Sequence, residues 1–213
     1  MALTGGKGPL AIRLGLDWKY SDDTVMHIAT ARALVQGRPA DPLPALATAL
    51  AREYKQCSRC MSGRAPGKTC MKALSIIQED GSNWNKIPFA ELKGGGCGAA
   101  MRAACIGLYL HRDHEKLVAL AVEAGRITHH NPIGYLGSVV AAYFTALALQ
   151  KAPIATWPAR LFEFCFPAAR RWVEAAGREV KSNLENGQWA KFEEAWRSYA
   201  QARRLSLDSS EKS

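Results

Sequence analysis

The sequence predicts an all-α fold, and three observations predict it. Apolar residues recur at spacings of three and four along most of the chain. Residue types that open and close helices punctuate those runs. No stretch alternates with the period of two that a half-buried strand requires. With 213 residues, 48% of them hydrophobic, the chain can bury one substantial core. Residues 17–204 read as one domain, preceded by an atypical segment, 1–16, and followed by a Ser- and charge-rich tail, 205–213, expected to be disordered.

A first helix is expected from Ser21 to about Gly37, entered through two acidic residues and carrying the apolar run Val25–Val35. Asp41-Pro42 reads as a cap followed by Pro at the first helical position, with Leu43, Leu46, Ala47, Leu50 and Tyr54 on one face. A shorter helix follows over 69–78. A long loop, 79–96, then carries Trp84 and Pro88 and ends in Gly94-Gly95-Gly96-Cys97-Gly98. Ala99–Leu110 reads as a helix of small residues. Asp113 caps a helix that Gly125 is suited to end, and Thr128–Pro132 forms a turn. Ile133–Gln150 holds no charged residue and is nearly long enough to cross a membrane. Its Gly, Ala, Ser, Thr and Tyr content reads instead as a central helix of a helical domain. Residues 159–181 form one or two helices interrupted near Pro167. Residues 188–204 are amphipathic, with Trp189, Phe192, Trp196 and Tyr199 or Ala200 inward.

The formal net charge is +9, and part of it is concentrated in Arg52, Lys55, Arg59, Arg64, Lys68 and Lys72, opposed by Glu53. Such a patch favours an anionic partner. Only Tyr54 interleaves with it, so a base-stacking nucleic-acid surface is not expected. Met1–Arg13 has no continuous apolar core, which argues against a secretory leader. The six cysteines are then expected to be reduced thiols in a cytoplasmic protein. Cys57-x-x-Cys60 has no second pair at zinc-finger spacing. Pro66-Gly67-Lys68-Thr69 resembles the end of a phosphate-binding P-loop, but Ser62 stands where that loop needs Gly, so a triphosphatase is excluded.

Three stretches carry chemistry. Ser21, Asp22 and Asp23 offer a hydroxyl and two carboxylates, the hard-oxygen set that Mg²⁺ or Mn²⁺ accepts, although the same residues open many ordinary helices. The Gly94–Gly98 cluster ahead of a helix leaves backbone N–H groups free for a diphosphate, or serves as a flexible linker. His129 and His130 are adjacent and point apart, so one of them offering a hydrogen bond to a ligand sugar or phosphate fits better than joint metal ligation.

Ser21-Asp-Asp-Thr-Val-Met-His27, Gly95-Gly-Cys-Gly-Ala-Ala-Met-Arg102 and Gly125-Arg-Ile-Thr-His-His-Asn-Pro-Ile-Gly-Tyr-Leu-Gly137 together resemble the ADP-ribosylglycohydrolase superfamily, in particular its ADP-ribosylarginine hydrolase branch. The resemblance extends through Gly63–Gly67 and the Trp-rich helix at 189–199, and covers about residues 18–204. It implies an all-α fold around two Mg²⁺ ions, with Ser21, Asp22 and Asp23 as metal ligands. Gly95, Gly96, Cys97 and Gly98 would wrap the diphosphate or proximal ribose, and His129 would contact the ligand. The implied chemistry is hydrolysis of the N-glycosidic bond between ribose and an arginine guanidinium, acting on ADP-ribosylated proteins or releasing free ADP-ribose. The acid that would manage the protons is not identified. A monomer with no membrane and no nucleic-acid partner is expected.

The chain departs from the family pattern at both ends. Met1–Leu16 lacks a Gly-Asp-Ala-Leu-Gly-like segment, and no Asp-x-Asp occurs anywhere. Half of the metal site is therefore expected, with weak Mg²⁺ binding and little turnover, and the alternative is a non-catalytic ADP-ribose-binding or regulatory isoform.

Overall fold

The computed structural model of the protein describes residue 15, residues 17–91 and residues 93–208. All but one residue of the 1–16 segment, and residues 209–213 of the tail, lie outside the described residues. No strand occurs among the described residues. The elements are α1 (Asp22–Gln36), α2 (Leu43–Cys57), α3 (Lys68–Ile76), α4 (Ala104–Tyr109), α5 (His114–Arg126), α6 (Pro132–Leu149), α7 (Trp157–Arg160), α8 (Phe166–Ala176), α9 (Val180–Leu184) and α10 (Gln188–Ala202). The fold is all-α, as the periodicity predicts.

At the centre α5 packs against α6. Every residue of α5 from Leu117 to Arg126 is buried, and α6 buries Tyr135, Leu136, Val139, Tyr143 and Leu147. The uncharged α6 is thus an interior helix, wrapped by α5, α4, α10 and the short turn at 97–102. Its Asn131 N-cap accepts the Ile133 N–H at 3.0 Å, and its first residue is Pro132, which has no N–H to leave unpaired. Helix α1 packs on α2 through Met26, Ala29, Thr30, Ala33 and Leu34, and the Thr30 hydroxyl meets the Tyr54 hydroxyl at 2.9 Å.

Several local expectations need correction. Gly125 does not end α5. The helix runs on to Arg126, and Gly125 sits where a Cβ would lie 2.6 Å from Tyr135 Cβ, so its missing side chain is what lets α5 and α6 touch. Asp41 does not cap α2, because its carboxylate accepts the Arg38 N–H at 2.9 Å and closes the preceding turn. Residues 99–110 are not one helix. A 3₁₀ segment, Cys97–Arg102, winds tightly where Gly98 meets the His129 ring, and α4 follows it. The interruption expected near Pro167 falls earlier, as a π turn at Leu161–Cys165 between α7 and α8. Pro167 has no N–H to return to the carbonyl four residues back, and the wider turn absorbs that loss.

The α4–α6 crossing is equally tight. A Cβ on Gly107 would lie 2.1 Å from the Ala142 carbonyl oxygen. Ala has the better helix propensity by about 1 kcal/mol, but a backbone carbonyl cannot swing aside, so the clash wins. Gly107→Ala is expected to lower stability by about 1–3 kcal/mol in chemical unfolding.

Candidate functional site

The site is organised around Arg102, which is 1% exposed. Its Nη1 donates to the Gly98 carbonyl at 3.1 Å, and Nη2 donates to the Ala124 carbonyl and to Thr128 Oγ1, each at 2.7 Å. Its guanidinium lies over the Tyr54 ring, 4.3 Å from the centroid. One side chain therefore joins the 97–102 turn, the end of α5, the turn before α6 and helix α2. Arg102 belongs to a sequence motif, yet sequence reasoning gave it no role of its own. A lone Arg inside a run of small and apolar residues was the available signal.

Thr128 Oγ1 accepts from Arg102, which can only donate, and this leaves the hydroxyl proton for His129 Nδ1 at 2.8 Å. The network thereby assigns the remaining proton of His129 to Nε2. That N–H lies beneath the glycine turn, because a Cβ on Gly98 would be 3.0 Å from His129 Nε2 and one on Gly96 would be 3.6 Å away. Burial pushes His129 down to about 4, and the Arg102 charge adds to the effect, so the ring is a neutral donor at neutral pH. Gly95, Gly96 and Cys97 are exposed and Gly98 is half-buried. The four expected glycine-turn residues and His129 are thus brought together, with the exposed turn lying over the buried ring.

Asn131 fastens the chain ahead of this turn, donating to Glu91 O at 2.9 Å and to Ala90 O at 3.3 Å. His130 points the other way, into the core. Its Nδ1–H bonds Ile87 O at 2.9 Å, while Nε2 accepts from Arg126 at 3.0 Å and Asn183 at 3.2 Å. Burial, with Arg126, pushes His130 down to about 3. The Glu179 carboxylate 3.2 Å from Nδ1 therefore faces a neutral ring, and the contact is not an ion pair. Buried Glu123 anchors the neighbourhood by accepting from Arg126, Arg178 and the Trp172 indole.

Ser21 occupies the N-cap position of α1 but makes no capping bond. Its hydroxyl donates instead to Asp23 Oδ2 at 3.0 Å. The Cys70 thiol is pushed up by burial, with Arg102 opposing and the Asp22 charge adding to the rise. Helix α1 packs against the 97–102 turn, which puts the acidic pair and the glycine turn on neighbouring segments. Among the described residues no group of three or more His, Cys, Asp or Glu side chains gathers as a metal cluster. The Ser21, Asp22 and Asp23 oxygens fit a hard cation in kind and fall short of six in number. Beside the Thr128–His130 turn lies a cavity of about 470 Å³, with Lys68, Lys72 and Lys93 at its rim and Phe89 and Ile87 on its wall.

A sequence profile of the ADP-ribosylglycohydrolase family matches residues 5–211. The chain belongs to that family. ADP-ribosylhydrolase ARH1 of Dictyostelium discoideum is 37% identical over 198 residues, covering 89% of this chain and 50% of that protein. ADP-ribosylhydrolase ARH3 of Gallus gallus is 31% identical over 131 residues, covering 62% of this chain and 35% of that protein. The family member described here therefore spans half or less of the length of these relatives.

Replacing Arg102 by Lys keeps the charge and loses the planar fork, leaving buried carbonyls short of donors. The expected cost is about 2–3 kcal/mol in urea unfolding. Both histidines are harder to protonate folded than unfolded. Their contribution is complete above about 6.5 and is lost as pH falls through about 4 for His129 and about 3 for His130. Unfolding free energy measured between pH 7 and 4 is expected to fall on the acid side, and His130→Gln is expected to flatten the slope by roughly 1.4 kcal/mol per pH unit.

Proposed function

We propose that this chain recognises ADP-ribose for hydrolysis of the N-glycosidic bond that joins ADP-ribose to arginine. The observation that supports the reading is the glycine turn, held by Arg102 through the Gly98 carbonyl and packed against the ring of neutral His129. Exposed backbone amides over a donor ring, with a buried guanidinium behind them, make a positive seat suited to a diphosphate. The cavity beside it gives room for the rest of the nucleotide, and its three lysines favour an anion. The arginine branch is supported by the residue pattern, and ADP-ribosyl hydrolysis by the ADP-ribosylhydrolase relatives.

Each residue then has a part. Gly95, Gly96, Cys97 and Gly98 present the turn, His129 donates beneath it, and Arg102 and Thr128 fix that ring's tautomer and place. Ser21, Asp22 and Asp23 would supply the first oxygens of a two-Mg²⁺ site, whose ions, when bound, polarise ribose hydroxyls as Lewis acids. The second reading, an ADP-ribose binder without catalysis, is favoured by one observation. Two carboxylates and a hydroxyl are the only part of a hard-cation site identified among the described residues.

Calorimetry is expected to show saturable ADP-ribose binding, weakened at least tenfold by Gly98→Leu, which would drive a side chain into the His129 ring. Incubation with ADP-ribosylarginine and millimolar Mg²⁺ is expected to give little turnover. Robust turnover abolished by Asp22→Asn or Asp23→Asn would show that this chain completes the site itself. Absence of ADP-ribose binding would overturn both readings.

A further inference from the structure

The Cys57-x-x-Cys60 pair has no part in the proposed hydrolase site. Cys57 is the last residue of α2, and a 3₁₀ turn, Ser58–Cys60, follows it directly, with helical backbone at Cys57, Ser58 and Met61. Side chains three residues apart on such a turn eclipse one another. The two thiols therefore stand on one side, and both residues line a cavity of about 160 Å³. The turn is braced, since Ser58 Oγ donates to Lys55 O at 2.7 Å and Arg64 Nε donates to Cys60 O at 2.9 Å.

A third sulfur joins the pair. The Cys57 thiol lies 3.3 Å from Met26 Sδ of α1, a side chain with no exposed surface. Cys60 is exposed and Cys57 half-buried, so the sulfurs run from solvent into the core and end at Met26. Val25, Ile28 and Ala29 make the cavity wall apolar, and Arg32 and Glu53 line it with opposite charges. Thiolates and a thioether are soft ligands, the kind that selects Cu(I). Hard cations take oxygen ligands, and a structural Zn²⁺ completes a tetrahedron of nitrogen and sulfur ligands without thioether. Neither fits this set in kind and number.

We infer that Cys57, Cys60 and Met26 form a binding site for a single Cu(I) ion where α2 meets α1. Binding involves no oxidation or reduction. Each thiol gives its proton to solvent and forms a bond to copper, Met26 Sδ donates a lone pair, and the metal stays Cu(I). Burial pushes the Cys57 thiol up to about 12, so the free protein keeps that proton, directed at Met26 Sδ and at Tyr54 O. A soft cation displaces it by bonding the sulfur directly. The inference is independent of the hydrolase reading, because its readout is metal binding.

The test titrates the reduced full chain, under argon, with Cu(I) in competition with a colorimetric cuprous chelator. One ion per chain is expected, with sulfur-to-copper charge transfer in the ultraviolet. X-ray absorption on the wild-type protein is expected to show sulfur alone around the metal, a readout that needs no variant. Cys57→Ser and Cys60→Ser are each expected to weaken binding by roughly a hundredfold or more. Met26→Leu, which keeps the side-chain volume, is expected to weaken it about tenfold. Cys105 of α4 is the rival thiol, because its Sγ lies 3.2 Å from His27 Nε2. Cys105→Ser is expected to leave the affinity unchanged. No binding, nitrogen around the copper, or an affinity that follows Cys105 and not Cys57 and Cys60 would overturn the inference. So would Zn²⁺ held as tightly as Cu(I).

Discussion

The arrangement depends on keeping one guanidinium out of water. Burying Arg102 carries a desolvation cost of several kcal/mol, and the protein offsets it with three oxygen acceptors and an aromatic face. Those acceptors come from segments far apart in sequence, so the interaction forms only when α2, the 97–102 turn, the end of α5 and the turn before α6 are all in place. Lysine offers a point charge where this geometry needs a fork. The fold and the candidate site therefore share a constraint, since whatever holds the core in register also fixes the glycine turn above His129.

Burial sets the electrostatic character of this region. Tyr54 and Cys70 are both pushed up by burial, with Arg102 opposing in each case, so both remain protonated and neither cancels the guanidinium charge. His129 is pushed the other way and remains a neutral donor. The result is a region of N–H groups around one buried cation. Donors fixed in this way would suit the proposed anion, because they need not be reoriented when a ligand arrives.

What the sequence disclosed follows from the range of the forces involved. Helix periodicity is local, and α1, α2, α5, α6 and α10 stand close to where it puts them. The acidic pair and the glycine cluster are also local patterns, and both were legible in the sequence as candidate sites. Gly125 misled because a glycine read locally is a helix stop, whereas here it is a contact surface for Tyr135. The π turn needed knowledge of how Pro167 is accommodated against the core. The partners of Arg102, Thr128 and Glu123 were not legible, because a buried polar residue is defined by groups 22, 26 or 55 positions away. Ser21 is the subtlest case, since the residue type fits a cap and only the structure shows its hydroxyl turned toward Asp23.

The proposed binding residues and the proposed metal ligands are separable for a physical reason. The donors beneath the glycine turn are fixed by buried contacts and owe nothing to a cation. The hydroxyl and carboxylates at the start of α1 are held by a well-packed helix but open to water, where two charged ligands bind a divalent ion weakly. Affinity for such an ion rises with ligand charge and enclosure. Excluding solvent from the Asp22 and Asp23 carboxylates would raise enclosure and leave ligand charge unchanged. The same helix carries an exposed apolar residue, Val35, near its end and the hydroxyl and carboxylates proposed as metal ligands at its start, so both are held by one packed element.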